Sequence, residues 1–245
     1  MNGVSIIIPA YNAEQTMAEC LHAVTNLRWS GDLEVIVVND GSEDGTGKIA
    51  HSNGTIVVSH EKNLGKGAAM KTGVQNARGD IIIFLDGDGA HDPQDMPRVL
   101  APILTREADL VIGSRALPES RVSVSPLTRR LSNNLASFVI SVIISFLLPL
   151  ATLFKWPAKY IKITDCTSGF RAIKRERWQK LHLVSSRFEI ETEMIYEAAK
   201  DKLVIKEVPI SCNWNSQLSR LSILKDGLRT LKLLAGKLIG DIGGR

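Results

Sequence analysis

Apolar residues in the first half of the chain gather into short runs, each closed by polar turn residues. Residues 4–8, 33–38, 55–58, 80–85 and 109–112 are such runs, rich in β-branched side chains, and they read as strands. Residues 14–25, 44–50, 66–77 and 94–104 lie between them with helix-compatible patterning. Strands that are apolar throughout and alternate with helices predict a mostly parallel sheet covered on both faces. Right-handed crossovers make such an α/β sheet doubly wound. Ligands then bind beyond the carboxyl ends of the strands, so the polar residues at those ends carry the candidate chemistry.

The second half changes texture. Residues 129–134 are polar and basic, 135–154 carry no charge and are almost wholly apolar, and 155–162 are basic again. Beyond them, a helix over 189–199 and a strand over 204–208 return to globular patterning. Residues 1–245 are therefore expected to form one domain, with an apolar helical insertion at 130–160 and an amphipathic helix at 222–240. As a helix, 135–154 would reach about 30 Å, enough to cross a bilayer. A crossing would separate 165–171 and 214–220 from Asp86 and Asp88, and Pro149 interrupts a helix interior. Ser137, Ser141 and Ser145 add a weakly polar stripe. The expectation is an interfacial or re-entrant pair of helical pieces, with a buried core helix as the alternative. Flanking Arg129, Arg130, Lys155, Lys159 and Lys162 suit anionic headgroups. In the C-terminal helix, Leu224, Leu228, Leu231 and Leu238 alternate with Lys225, Arg229, Lys232 and Lys237. Its leucines would lie on a membrane or pack on the domain.

Composition narrows the partners. The 245 residues carry a net charge of +4 and a pI near 9.0, which suits phosphates or acidic lipid. Aromatic residues make up only 5% and do not interleave with basic ones, which argues against nucleic acid. Cys20, Cys166 and Cys212 have no paired spacing, so a reducing compartment is expected. The first residues lack the basic stretch of a signal peptide.

The strongest local signal is Asp86-Gly87-Asp88-Gly89 at the end of an apolar strand. Mg²⁺ or Mn²⁺ prefers hard oxygen ligands and is commonly held by one or two carboxylates, with substrate phosphates completing the shell. A solvated turn has the same composition. Asn39-Asp40-Gly41-Ser42 ends another strand, where Asp40 could accept hydrogen bonds from a base or ribose or merely shape a turn. Pro9-Ala10-Tyr11-Asn12 follows the first strand, and Tyr11 could line a nucleotide pocket or cap the next helix. His91 could reach a diphosphate or serve the structure. Glu191 and Glu193 could line an acceptor site or form a solvated helix face.

Together these motifs, with Asn63-Leu64-Gly65-Lys66-Gly67, resemble glycosyltransferase family 2 and imply its GT-A fold. Gly113-Ser114-Arg115, Asp165 to Arg171, Val208-Pro209-Ile210, Trp214 and Ser219-Arg220 resemble the dolichyl- and polyprenyl-phosphate sugar synthases within it. The resemblance implies that Pro9, Tyr11, Asp40, Lys66, Asp86 and Asp88 meet the nucleotide sugar. It implies that Asp86 and Asp88 hold the metal, and that Arg115, Arg129, Asn133 and Arg220 meet the acceptor phosphate. Asp88, Arg115 and Arg129 are the implied catalytic residues. Ala90 stands where the phosphomannose synthases usually carry Gln; a small apolar residue there resembles the dolichyl-phosphate glucose synthases and favours a UDP-sugar over GDP-mannose.

The chemistry follows from the acceptor. A phosphate monoester has a second pKa of about 6, so it attacks as a dianion with no general base. Arginine forks would aim it, and the metal would stabilise the departing diphosphate. The resemblance implies inversion at the sugar and work at the cytoplasmic face of a membrane, as a peripheral or monotopic protein. The alternative is a family 2 enzyme acting on a hydroxyl, which would need a base such as Glu191 or Glu193.

Overall fold

A computed structural model describes residues 3–123 apart from 28 and 30, then 127–147, 161–213 and 223–242, without the side chains of 128–130, 223, 224 and 242. Arg129 therefore enters only as helix backbone. Pro149, Lys155, Lys159, Trp214, Ser219 and Arg220 lie outside the described residues.

The strands are β1 (Val4–Ala10), β2 (Leu33–Asn39), β3 (Ile56–Ser59), β4 (Ile81–Phe84), β5 (Leu110–Ser114), β6 (Arg121–Val122), β7 (Arg171–Lys174), β8 (Ile205–Pro209) and β9 (Ser211–Cys212). The α-helices are α1 (Glu14–Thr25), α2 (Thr46–Ser52), α3 (Lys66–Asn76), α4 (Met96–Leu104), α5 (Leu127–Val142), α6 (Arg175–Trp178), α7 (Ile190–Lys200) and α8 (Ile223–Ile242). One seven-stranded sheet runs β3-β2-β1-β4-β7-β5-β8, and β6 pairs with β9 apart from it. The sheet is parallel except at β7, which is antiparallel to both β4 and β5. Residues 171–174 were not anticipated as a strand. The run is short, and it carries a charge at each end that hides the apolar signal of Ala172 and Ile173.

Helices cover both faces, as expected from strands buried on both sides. Met17, Leu21, Val99 and Leu100 from α1 and α4 close one face. Ala69, Met70, Ile190 and Met194 from α3 and α7 close the other. Strand β1 continues through Pro9 to Ala10, past its expected stop. The Ile7 carbonyl accepts from Leu85 N on the β4 side, and the Ala10 carbonyl accepts from Asp40 N on the β2 side. By this alternation Pro9 faces β4, whose ladder has already ended at Phe84, so no partner is deprived of its missing N–H.

Helix α5 and the turn after it are anchored in a third core, where Ile140 and Ile144 pack with Ile163, Ile195, Tyr196 and Leu234. Their serines face inward. Ser137, Ser141 and Ser145 accept the amides of Cys166, Ile163 and Ile161 at 3.0, 2.9 and 2.9 Å. This ladder supplies partners to a segment that has no neighbouring strand there. The opposite face is apolar and open to solvent, with Leu131 58%, Leu135 64% and Phe138 60% exposed. A π-helical turn continues α5 over Ile143–Leu147. Among the described residues no helix is long and apolar enough to cross a membrane.

The C-terminal helix places both apolar and charged residues on its inward and outward sides. Leu228, Leu231 and Ile239 point outward, while Leu234 and Asp226 are buried. Lys237 pairs with Glu193 and Glu197 at 3.0 and 2.5 Å. Asp241 accepts from the Tyr196 hydroxyl at 2.6 Å and pairs with Lys200. Charge pairs and the buried Leu234 together tie α8 to α7.

Candidate active site

The tips of β1, β2, β4 and β5 bring the strand-end motifs to one end of the sheet. Beyond β4, Asp86 and Asp88 stand in a turn in which Asp88 accepts the Ala90 amide at 3.0 Å. Asp86 pairs with the Lys66 ammonium. Burial raises the Asp86 carboxyl, but Lys66, then His91, outweighs it and leaves Asp86 below its ordinary value. Asp88 is raised, first by burial and then by the Asp86 charge. A carboxylate pair that repels itself in a half-dry setting fits a divalent cation, which favours both ionised forms. Hard oxygen donors fit Mg²⁺ or Mn²⁺. Among the described residues no group of three or more His, Cys, Asp or Glu forms a ligand cluster, so donor phosphates would complete the shell.

Gly169 is demanded by this arrangement. A Cβ there would lie 2.3 Å from Asp86 Oδ2, so any larger residue would push the carboxylate from its present place. His91 lies beneath it, with Nδ1 3.9 Å from Asp86 Oδ2 and neither ring nitrogen hydrogen-bonded. Burial pushes its imidazole down to about 4, so it is neutral near pH 7.

Beyond β5, Arg115 lays its fork on Asp165, with Nε to Oδ2 at 2.7 Å and Nη2 to Oδ1 at 2.8 Å. Asp165 also accepts the Arg115 amide at 3.0 Å. Burial raises Asp165, but the Arg115 charge outweighs it and holds the carboxyl below the usual range. Nη2 also donates to the Thr167 hydroxyl at 3.0 Å, and Thr167 donates to Asn133 Oδ1 at 2.9 Å. Among the described residues the Nη1 side of the fork has no hydrogen-bond acceptor. Arg115 is close enough to shift both Asp86 and Asp88, so the acidic and basic groups share one site.

Asp40 ends β2 with its carboxylate engaged. It accepts the Leu64 and Gly65 amides at 2.9 and 2.8 Å. His60 Nδ1 lies 2.6 Å from Asp40 Oδ1, and Nε2 lies 2.9 Å from the Thr72 hydroxyl. Asp40 therefore shapes the loop that launches Lys66. Nothing in the sequence marked His60 as its partner, because the contact joins β2 to the residue that follows β3.

Glu191 is buried and binds Lys66 Nζ at 2.5 Å. Burial raises its carboxyl, and Asp86 adds to this against the opposing Lys66 charge. Glu193 turns away and accepts the Val184 and Ser185 amides, both at 2.9 Å. Arg171 went unassigned in the sequence, yet it is fully buried and holds the site together. Its guanidinium donates to the carbonyls of Ser168 and Cys166, both at 2.7 Å, and to that of Glu191. The signal was a charged residue beside the apolar pair Ala172-Ile173. Tyr11 is half-buried after β1, where the Asn12 amide donates to the Ser42 hydroxyl at 2.9 Å and joins the first two strand ends.

Comparison with known proteins bears on the family and the fold. The sequence profile of glycosyl transferase family 2 matches residues 5–181. An uncharacterised protein of Methanocaldococcus jannaschii is 33% identical over 242 residues, covering 96% of this chain and 92% of that one. UDP-N-acetylglucosamine–dolichyl-phosphate N-acetylglucosaminyltransferase of Methanococcus voltae is 32% identical over 229 residues, 84% of each chain. The crystal structure of glucosyl-3-phosphoglycerate synthase from Mycobacterium tuberculosis, in complex with Mn²⁺, UDP-glucose and phosphoglyceric acid, matches with a TM-score of 0.67. Identity is 22%, over 99% of this chain and 80% of that one, which shows the fold alone.

Proposed function

The chain belongs to glycosyltransferase family 2, and from that premise we propose that it moves a hexose from a nucleoside diphosphate sugar to dolichyl or polyprenyl phosphate. A UDP-sugar is the favoured donor, supported by Ala90 and by the name of the Methanococcus voltae relative. GDP-mannose is the second choice.

The observation that carries the acceptor class is how the site's carboxylates are used. Asp165 is spent on Arg115, Glu191 on Lys66, and Asp40 on His60 and two amides. Asp86 and Asp88 are the metal pair. Among the described residues that leaves no carboxylate poised to deprotonate a hydroxyl, while the Nη1 side of Arg115 has no hydrogen-bond acceptor and can take an anion. This favours an acceptor that arrives already ionised.

In the proposed reaction Asp86 and Asp88 hold a divalent cation, which stabilises the departing diphosphate. Lys66 contributes a second positive charge beside it. Arg115, oriented by Asp165, and Asn133, tied to it through Thr167, aim the acceptor phosphate at the anomeric carbon. Attack opposite the diphosphate inverts that centre. The phosphate brings no proton that must be removed.

A lipid-linked acceptor requires the site to reach a bilayer, and α5 supports this. The helix that carries Asn133 turns Leu131, Leu135 and Phe138 outward. We read this face as resting on the cytoplasmic surface of a membrane, with the protein peripheral or monotopic.

The test is incubation with Mg²⁺ or Mn²⁺, dolichyl phosphate and, in turn, labelled UDP-glucose, UDP-N-acetylglucosamine and GDP-mannose. A lipid-extractable, acid-labile sugar product is expected. Absence of such product from every donor, with transfer to a glycan hydroxyl instead, would overturn the reading.

A further inference from the structure

Lys66 occupies an unusual position for a donor-binding residue. It is the first residue of α3 and is mostly buried, with its ammonium between Asp86 and Glu191 and 5.7 Å from the Phe188 ring centroid. Its backbone is tied on both sides, the Gly65 amide donating to Asp40 at 2.8 Å and the Ala68 amide to the Ser186 carbonyl at 3.0 Å. Gly65 before it takes φ +101°, and a Cβ there would lie 2.4 Å from the Ser186 carbonyl oxygen. Glu191 is equally fixed, because Arg171 binds its carbonyl. The ammonium therefore sits where Asp86, Glu191 or an anion beside them can take it.

We propose that Lys66 and the divalent cation compete for Asp86, so that the cation is taken up together with the donor diphosphate, which receives the displaced ammonium. The proposal rests on the donor-binding reading of this site. A cation binding Asp86 without nucleotide has to share that carboxylate with Lys66 or push it aside, at a separation where like charges repel strongly in a half-dry pocket. The diphosphate removes the penalty by placing anionic oxygens between the two. Glu191 keeps the ammonium beside the donor once Asp86 has been given up. Coupling of this kind is reciprocal, so metal tightens nucleotide as much as nucleotide tightens metal. It also limits the uptake of bare metal by a site that has no donor to act on.

The test measures Mn²⁺ affinity from the electron paramagnetic resonance signal of free Mn²⁺, with and without UDP, and needs no acceptor or turnover. In the wild-type protein UDP is expected to tighten Mn²⁺ by at least roughly tenfold. In Lys66→Met, Mn²⁺ alone is expected to bind roughly tenfold more tightly than to wild type, and the UDP effect to shrink. Lys66→Arg keeps the charge and is expected to keep weak binding of Mn²⁺ alone. The proposal is overturned if wild type binds Mn²⁺ equally with and without UDP, a result that stands whether or not the variants fold. It is also overturned if folded Lys66→Met, with a wild-type thermal melt, binds Mn²⁺ alone no more tightly than wild type. Failure to make a glycolipid would defeat the acceptor assignment and leave these affinities untouched.

Discussion

Two carboxylate pairs with the same spacing take opposite parts in this molecule. Asp86 and Asp88 follow a strand tip, and the turn presents both to one site. Glu191 and Glu193 sit on α7, where residues two apart point about 200° away from each other. Glu191 therefore reaches Lys66 in the site, while Glu193 caps two amides and binds Lys237 on α8. Identical spacing means shared chemistry after a strand and divided labour on a helix.

The largest expected effect comes from a carboxylate outside both pairs. Asp165→Asn leaves the largely buried Arg115 fork without its charge partner and is expected to cost about 3 kcal/mol of stability near neutral pH. Because Asp165 is held below its ordinary value in the folded protein, its contribution is complete above the unfolded carboxyl pKa of about 3.9 and fades as pH falls through the folded value. Acid-unfolding curves of wild type and variant should thus converge at low pH, and parallel curves would show that the pair is not the cause. Next, Asp88→Asn is expected to lower kcat by roughly 10²–10³-fold with an unchanged melting temperature. Steady-state rates at saturating metal check it.

The helix pair is then separated by two single variants. Glu191→Gln is expected to lower kcat/KM by roughly 10–100-fold, because it positions Lys66. Glu193→Gln is expected to retain the rate and lose about 1–3 kcal/mol of stability, measured by urea unfolding. A reversal of those two outcomes would undo the comparison. The smallest expected effect is at the surface. Phe138→Ser should change stability by no more than about 0.5 kcal/mol while weakening sedimentation with vesicles containing anionic lipid.

Much of this was readable in the chain. Five strands, their helices and the Asp86–Asp88 motif at a strand end follow from local pattern, because parallel strands buried on both faces leave a plain signal. What stayed hidden depends on contacts between distant segments. Strand β7 gains its place only by pairing with β4 and β5. The serines of α5 were visible as a stripe, but their direction is decided by amides of 161–166 that need acceptors. On α8, Leu228 and Leu231 face outward while Lys237 and Asp241 find partners on α7, contacts that the helix's own pattern does not reveal. The side chains of Arg129 and Arg220 lie outside what the structure describes, so among the described residues the proposed acceptor end consists of Arg115, Asp165, Thr167 and Asn133.

The central claim is that the site steers an attacker that is already charged. The most direct measurement compares transfer to dolichyl phosphate with transfer to dolichol, at equal concentration, in the same vesicles and with the same UDP-sugar. The account predicts rapid, metal-dependent transfer to the phosphate and none to the alcohol. Comparable rates with both lipids would contradict it.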